Sequence, residues 1–297
     1  MMVALAIAFE GPAAAEPKSE AIEILERASA NEKSQAALAN ALVELDALIV
    51  KNAKDADAHY ARGWVLSRTG KHEDSVVAYD RAFELDARLS DAPYNAGVVL
   101  GRLGNSKEAA IRFDRALKVA PKHVDAAYNA GQSYYDTNDF TKAAARWRTA
   151  ARLQPDDFQI AKKLVQAYVA LDKASDVKQA RQKVFALWKS GKDPEVKKEK
   201  SYVYDQFVAG KYHVYVYEAF DTSGDSAYVY QFKVTLGARS LGSVNLETSA
   251  ASRKQGVPFV LGVDKDGEHA TLDDTWKKLP DYKLLKPLVM KVIETRF

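Results

Sequence analysis

The sequence predicts two folds in one chain, an α-solenoid of stacked helical hairpins (an αα superhelix) followed by a smaller α+β domain. Three observations carry this expectation. Gly63, Gly97 and Gly131 recur 34 residues apart within segments of helical apolar rhythm. Small and aromatic residues recur in step with them. After Gly191 the rhythm changes to an alternation of β-branched and aromatic residues, the period of strands.

Taken from the start, Val3–Phe9 is a short apolar run, and Ala13-Ala14-Ala15 before Glu16 has the small-residue pattern of a signal-peptidase site. The run resembles a secretory signal over 1–15, without the charged leading segment, and predicts a soluble exported protein, most simply in a bacterial periplasm. Residues 16–55 predict a weakly patterned hairpin, with Ala21–Ala30 as one helix and Ala41, Leu45 and Leu48 on the apolar side of a second over 34–52.

The clearest pattern follows. Ser75, Ala109 and Ala143 form one column, the aromatic residues Tyr79, Phe113 and Trp147 a second, and Ala82, Ala116 and Ala150 a third. Steps of four and then three residues put all three on one helix face. Leu66, Leu100 and Tyr134 supply the large residue of the preceding helix, and Pro121 and Pro155 end two of the units, with Ala87 in that place in the first. A small residue lets two helices approach, and the aromatic fills the gap beside it. A lone hairpin cannot bury its apolar face, so such units stack. The pattern resembles the tetratricopeptide repeat, with units at 56–89, 90–123 and 124–157 and turns at Thr69-Gly70, Leu103-Gly104 and Thr137-Asn138. Arg62, where that family usually has leucine, is expected to lay its stem across the adjoining helix with its head in water. Residues 158–191 predict one further, weaker hairpin that caps the stack.

The resemblance implies a non-enzymatic adaptor or scaffold that holds a protein or extended peptide on the first helices of its hairpins. On those helices Tyr60, Tyr94 and Tyr128 share one column, Asp57, Asp91 and Asp125 another, and Asn95 and Asn129 a third, with Trp64, Gln132 and Tyr135 beside them. A row of amides can bind the backbone of an extended peptide whatever its sequence, and tyrosine adds flat apolar area with a polar tip. The aspartates also fall in first turns, where a negative charge gains about 0.3–1 kcal/mol against the helix dipole. Of the basic clamp by which some members of the family capture an acidic tail, only the asparagine appears. Tyr60, Trp64, Asp125 and Asn129 stand in its other places, so a neutral or basic segment is the expected guest.

Composition narrows the alternatives. With 47% hydrophobic residues in 297, the chain can bury sizeable cores. Its formal net charge of +3, without a run of basic residues, gives no footprint for nucleic acid. The basic residues Lys197, Lys198 and Lys200 alternate with Glu195 and Glu199, as in a solvated linker over 192–200. Cysteine is absent, which removes disulfides and thiolate chemistry. No stretch after the N-terminus reaches the ~18 apolar residues of a membrane span.

Residues 201–297 predict an antiparallel meander closed by a helix. Strands are expected at 212–220, 228–236, 243–248, 259–263 and 270–273, with turns at Ser223-Gly224 and Asp266-Gly267. On the first strand Val214, Val216 and Glu218 face one way and His213, Tyr215 and Tyr217 the other. A helix over 281–295 places Leu284, Leu285, Leu288, Val289 and Val292 on its apolar side, with Pro287 as a kink. Catalytic signatures are missing: the five histidines sit in unrelated segments without a metalloprotease, nucleophile-elbow or phosphate-loop motif. The acidic run Asp264, Asp266, Glu268 and His269 lacks the glutamate of a calcium loop, since Thr275 stands there, and is expected to be a hairpin turn. No cofactor is implied. An enzyme or ligand-binding activity in this domain would rest on His213 or His269 with Glu218 or Asp273, and a structural role in an envelope secretion or motility complex is the other alternative.

Overall fold

The computed structural model describes residues 19–222, 226–249, 253–256 and 258–297. The signal-like run at 1–15 and the Ser223-Gly224 turn lie outside the described residues. The chain divides into two compact units, Met1–Asn129 and Ala130–Phe297.

The first unit is built of antiparallel helices: α1 (Glu20–Ala30), α2 (Gln35–Lys51), α3 (Ala56–Arg68), α4 (His72–Leu85), α5 (Asp91–Arg102), α6 (Ser106–Val119) and the first half of α7 (Val124–Asp136). Side-chain caps start several of them. Ser34 accepts a hydrogen bond from the Ala37 amide and Asp55 one from the Ala58 amide, each satisfying an amide that the first turn leaves without a partner.

The 34-residue period has a steric basis. In α3 and α5 the glycine backbone lies directly under the ring of the following helix. A Cβ on Gly63 would come within 2.8 Å of the Tyr79 ring, and one on Gly97 within 2.8 Å of Phe113. Ser75 adds a buried hydrogen bond from its hydroxyl to the Gly63 carbonyl at 2.7 Å. The α3–α4 and α5–α6 hairpins turn on a glycine of positive φ, Gly70 at 80° and Gly104 at 79°, with the amide after it bonded back to Leu66 and Leu100 respectively. This left-handed close is the turn that satisfies the last free carbonyls of a helix. Arg62 reaches α2, where its Nε donates to Asp46 at 2.6 Å.

The second unit continues with the rest of α7, α8 (Phe140–Leu153), α9 (Phe158–Ala170), α10 (Ala174–Ser190) and the short α11 (Pro194–Lys198). The same devices recur: a Cβ on Gly131 would lie 2.5 Å from the Trp147 indole. Asn138 and Asp172 take the left-handed position with φ of 61° and 54°, and the amides that follow bond back to Tyr134 and Tyr168. The helix pair α9–α10 thus closes with the same turn as the three hairpins before it.

Six strands follow, β1 (Ser201–Ala209), β2 (Tyr212–Ala219), β3 (Ser226–Leu236), β4 (Arg239–Ser249), β5 (Phe259–Lys265) and β6 (Glu268–Trp276), then α12 (Tyr282–Arg296). They form one antiparallel meander in chain order. One face carries Val214, Val216, Phe232, Val244, Leu246 and Leu261, all buried, under Leu285, Val289 and Ile293 of α12. The helix runs through Pro287 without ending. Leu284, expected on its apolar side, is 75% exposed; the buried stripe instead runs in steps of four through Leu285, Val289 and Ile293.

Phe158, Ala161 and Val165 of α9 and Val184 of α10 belong to this same core. Phe220, just beyond β2, stacks on Trp188 at 5.1 Å and meets Phe185 edge-on at 5.4 Å. The hairpin expected to cap the stack, α9–α10, packs against the sheet. The expected linker holds α11, and its Glu199 carbonyl accepts from the Trp188 indole at 2.9 Å. Strand β1, which the alternation does not reveal, has Tyr202, Tyr204 and Asp205 all buried around a bulge between Val203 and Asp205.

Two buried carboxylates tie these layers. Glu218 accepts from Arg181 Nε at 3.0 Å, from a second Arg181 nitrogen, and from the Tyr202 hydroxyl at 2.5 Å. Asp205 accepts from the Tyr282 hydroxyl at 2.6 Å and Lys286 Nζ at 2.8 Å, which fixes α12. A buried charge is tolerated only when paired in this way.

Two predictions follow from the packing. Gly97→Ala should lower the urea midpoint by an amount equivalent to about 1–3 kcal/mol, the overpacking cost exceeding the helix-propensity gain. Gly101→Ala in the same helix, with no atom within 4 Å of its added Cβ, should be neutral or stabilise by up to about 1 kcal/mol. Arg181→Ala should cost about 3 kcal/mol or more by stranding the Glu218 charge, and the double variant Arg181→Met/Glu218→Gln should recover part of that loss in thermal or urea denaturation.

Candidate peptide-binding face

The tyrosine and asparagine columns lie where the first helices of successive hairpins pass one another. Tyr60 on α3 and Tyr94 on α5 are half-buried because each ring rests on the aromatic that covers the glycine of its own hairpin. Tyr60 lies 5.6 Å from Tyr79, and Tyr94 lies 5.8 Å from Phe113. Tyr94 also packs on His123 at 4.5 Å, and His123 Nδ1 accepts from the Ala126 amide at the start of α7.

The asparagines join one repeat to the one before. Asn95 Nδ2 donates to the Tyr60 hydroxyl at 3.0 Å, and Asn129 Nδ2 to the Tyr94 hydroxyl at 3.5 Å. Each rung spans 35 residues of chain. The amide row expected for peptide capture therefore spends one donor per asparagine on the fold itself. Each asparagine retains its other N–H and its carbonyl oxygen, and each tyrosine its hydroxyl proton. Burial raises the Tyr60 hydroxyl above its ordinary pKa, Asp91 adds to this, and the Asn95 bond works against it; burial, Asp125 and Asn129 act on Tyr94 in the same way. Both hydroxyls are donors at neutral pH.

The other expected site residues divide. Asp91 and Asp125 are exposed in the first turns of α5 and α7, close enough to act on the neighbouring tyrosines. Asp57 instead accepts from the Ser19 hydroxyl at 2.6 Å, which ties α3 to the cap of α1. Trp64 is half-buried, with the Arg68 guanidinium 5.0 Å over its ring. Tyr128 is half-buried on α7. In the second unit, Gln132 donates to Asp136 one turn on at 2.7 Å, and Tyr135 is buried against Trp147 and Phe140.

In the sheet, the histidine pairs required for catalysis do not form as expected. Glu218 serves Arg181 and Tyr202 on the buried face, and His269 pairs with Asp264 and Glu247, not Asp273. Asp266 and Gly267, with φ of 54° and 85°, make a two-residue hairpin turn between β5 and β6. The sequence signal for the buried acids was Glu218 itself, a charge in the column of Val214 and Val216.

Comparison with known proteins decides the family of the helical part. Tetratricopeptide-repeat profiles match residues 56–88, 94–157 and 128–194. Residues 56–88 and 94–194 are tetratricopeptide repeats. The sheet domain has no family match, and no curated protein matches the chain. Among solved structures, a MamA protein is 14% identical with a TM-score of 0.50, covering 62% of this chain and 97% of its own, and shares the fold of the tetratricopeptide repeats. MamA 41-end from Desulfovibrio magneticus RS-1 is 20% identical with a TM-score of 0.48, covering 59% and 99%. YrrB, described as a TPR protein with an unusual peptide-binding site, is 17% identical with a TM-score of 0.48, covering 56% and 84%.

The rungs are testable by a double-mutant cycle. Asn95→Ala should cost about 0.5–1.5 kcal/mol, and combined with Tyr60→Phe it should cost less than the sum of the two single losses. Strict additivity in urea denaturation would show that the pair does not interact.

Proposed function

We propose that the chain is a non-enzymatic scaffold that holds an extended, neutral or basic segment of a partner protein along α3, α5 and α7. The observation that carries this reading is the repeated rung, which sets Asn95 beside Tyr60 and Asn129 beside Tyr94, with Tyr60, Tyr94 and Tyr128 half-buried at the period of the repeats. Tetratricopeptide repeats take protein or peptide partners, which supports the class of function. The exposed carboxylates of Asp91 and Asp125 favour a neutral or basic guest by simple charge complementarity. Trp64 and Asp57 join the site less directly, because each already has a partner within the fold. Among the described residues no helix is long and apolar enough to cross a membrane. Export to the bacterial cell envelope rests on the signal-like pattern at 1–15.

Fluorescence-anisotropy titration of the full chain with basic, neutral and acidic extended peptides tests the proposal. Basic or neutral peptides should bind more tightly than acidic ones, and Tyr94→Ala should weaken them about tenfold or more, the loss typical of an aromatic anchor. Affinities unchanged by Tyr94→Ala for every peptide would rule this face out.

A further inference from the structure

Ala174, Val177, Lys178 and Arg181 recur along α10 in steps of three, one and three, and so share one face of the helix. That face borders a cavity of about 240 Å³ within the second unit. The cavity is bordered as well by Tyr204 of β1, Tyr230 of β3 and the segment 279–283 that leads into α12. An exposed ion pair between Asp172 and Lys283 joins two of its rim residues.

Tyr204 is the group this cavity leaves unsatisfied. In the ladder of β1 and β2, Val203 pairs with Tyr217 and Asp205 with Val216, so Tyr204 is the extra residue of the bulge. A bulge re-aims the side chain it carries, and Tyr204 is left only 4% exposed, with Tyr282 edge-on to its ring at 4.9 Å and Tyr230 at 5.4 Å. Its hydroxyl has no hydrogen-bond partner among the described residues, yet it is not shut off in the way that the unpartnered atoms of His72, Asn245 and Glu247 are. The surface that Tyr204 keeps open faces the cavity it lines. Burial raises the pKa of the hydroxyl; of the residues at the cavity, Arg181 works against this and Asp281 adds to it. It is therefore an O–H donor at neutral pH.

Further donors border the same space. Arg181 gives Nε and one terminal nitrogen to Glu218, which leaves its other terminal nitrogen without an acceptor, and its guanidinium lies 5.7 Å from the centre of the Tyr204 ring. Lys178 is exposed at the mouth and, among the described residues, has no carboxylate partner. The helix α10 starts at Lys173 with no side chain capping its first amides. Both carboxylates at the cavity are already engaged, Asp172 by Lys283 and Asp281 by the Lys283 amide. Donors and positive charge are thus in excess, beside an apolar wall of Val169, Val177 and Leu279.

We propose that this cavity binds a small organic acid, a carboxylate on a short apolar or single-ring stem, which accepts from the Tyr204 hydroxyl and the free Arg181 nitrogen while its stem lies along Val169, Val177 and Leu279. Charge-assisted bonds of this kind are the strong ones, and Lys178 adds a field of the right sign. The volume lies below the roughly 300–1,000 Å³ of sites for drug-sized ligands, which limits the guest to one ring or a short chain. A cation would meet Lys173, Lys178 and Arg181 with no free carboxylate to receive it.

Isothermal titration of the full chain with phenylacetate, hexanoate and Nα-acetyl-phenylalanine tests the site, with benzylamine, benzyl alcohol and inorganic phosphate run in parallel. Saturable binding of at least one acid, weakened about tenfold or more in Tyr204→Phe, is the expected result, the loss of one charge-assisted hydrogen bond. Because the hydroxyl has no partner in the chain, Tyr204→Phe should leave the urea midpoint of the free protein unchanged or raised, which separates a lost ligand contact from a lost structural one. Lys178→Glu, on the exposed face of α10, reverses the charge at the mouth and should weaken the acids as well. Tightest binding of Nα-acetyl-phenylalanine assigns the site to the C-terminal residue of a partner chain, and tightest binding of phenylacetate or hexanoate assigns it to a free acid. Absence of saturable binding to any acid, affinity unchanged in either variant, a lowered urea midpoint in Tyr204→Phe, or equal or tighter binding of benzylamine, benzyl alcohol or phosphate would overturn the proposal.

Discussion

The helical part depends on one contact, an aromatic ring laid on the bare backbone of a glycine in the neighbouring helix. Tyr79 on Gly63, Phe113 on Gly97 and Trp147 on Gly131 repeat it, and at each site a single added carbon would collide. Because the ring cannot recede without leaving a void, the contact sets how closely the two helices of a hairpin approach. The alanines around it, including Ala82, Ala96 and Ala116, are wholly buried for the same reason. Tyr60 and Tyr94 then rest on these rings, so the tyrosine column of the proposed binding face inherits its position from the hairpin cores.

In the second unit, buried charge takes over the work of registration. An apolar core tolerates small shifts of one layer over another, whereas Glu218 accepts from Arg181 on α10 and from Tyr202 on β1 in one geometry only. Asp205 does the same for α12 through Tyr282 and Lys286. The sheet therefore covers a repeat hairpin that would otherwise expose Phe158 and Val184, which gives the terminal repeat an apolar neighbour in place of water.

Much of this was legible in the sequence because it is periodic. The 34-residue spacing, the turn residues and the two-residue Asp266-Gly267 hairpin all depend on local chemistry that a single segment displays. Strands β2 to β6 showed themselves by alternation or by flanking turns. Strand β1 did not, because its bulge places Tyr204 and Asp205, adjacent in the chain, both inside. Leu284 was misplaced on α12 for a related reason: several apolar residues competed for one stripe, and only the position of the sheet selects among them. The columns of the candidate site are visible in the sequence by their period, yet their mutual bonds are not, since Tyr60 and Asn95 meet only once two hairpins have stacked. The cluster at Asp264 was visible as an acidic run, but Asn245 and Glu247 reach it from another strand.

If the face carrying the Tyr-Asn rungs is where a partner lies, proximity along the chain surface is the quantity to measure. A photo-crosslinking side chain placed at Tyr128 should capture a bound basic or neutral peptide in high yield. The same group at Val50, which is 88% exposed on α2, should capture little. Equal yields from the two positions, or capture from Val50 alone, would contradict the assignment of the binding face.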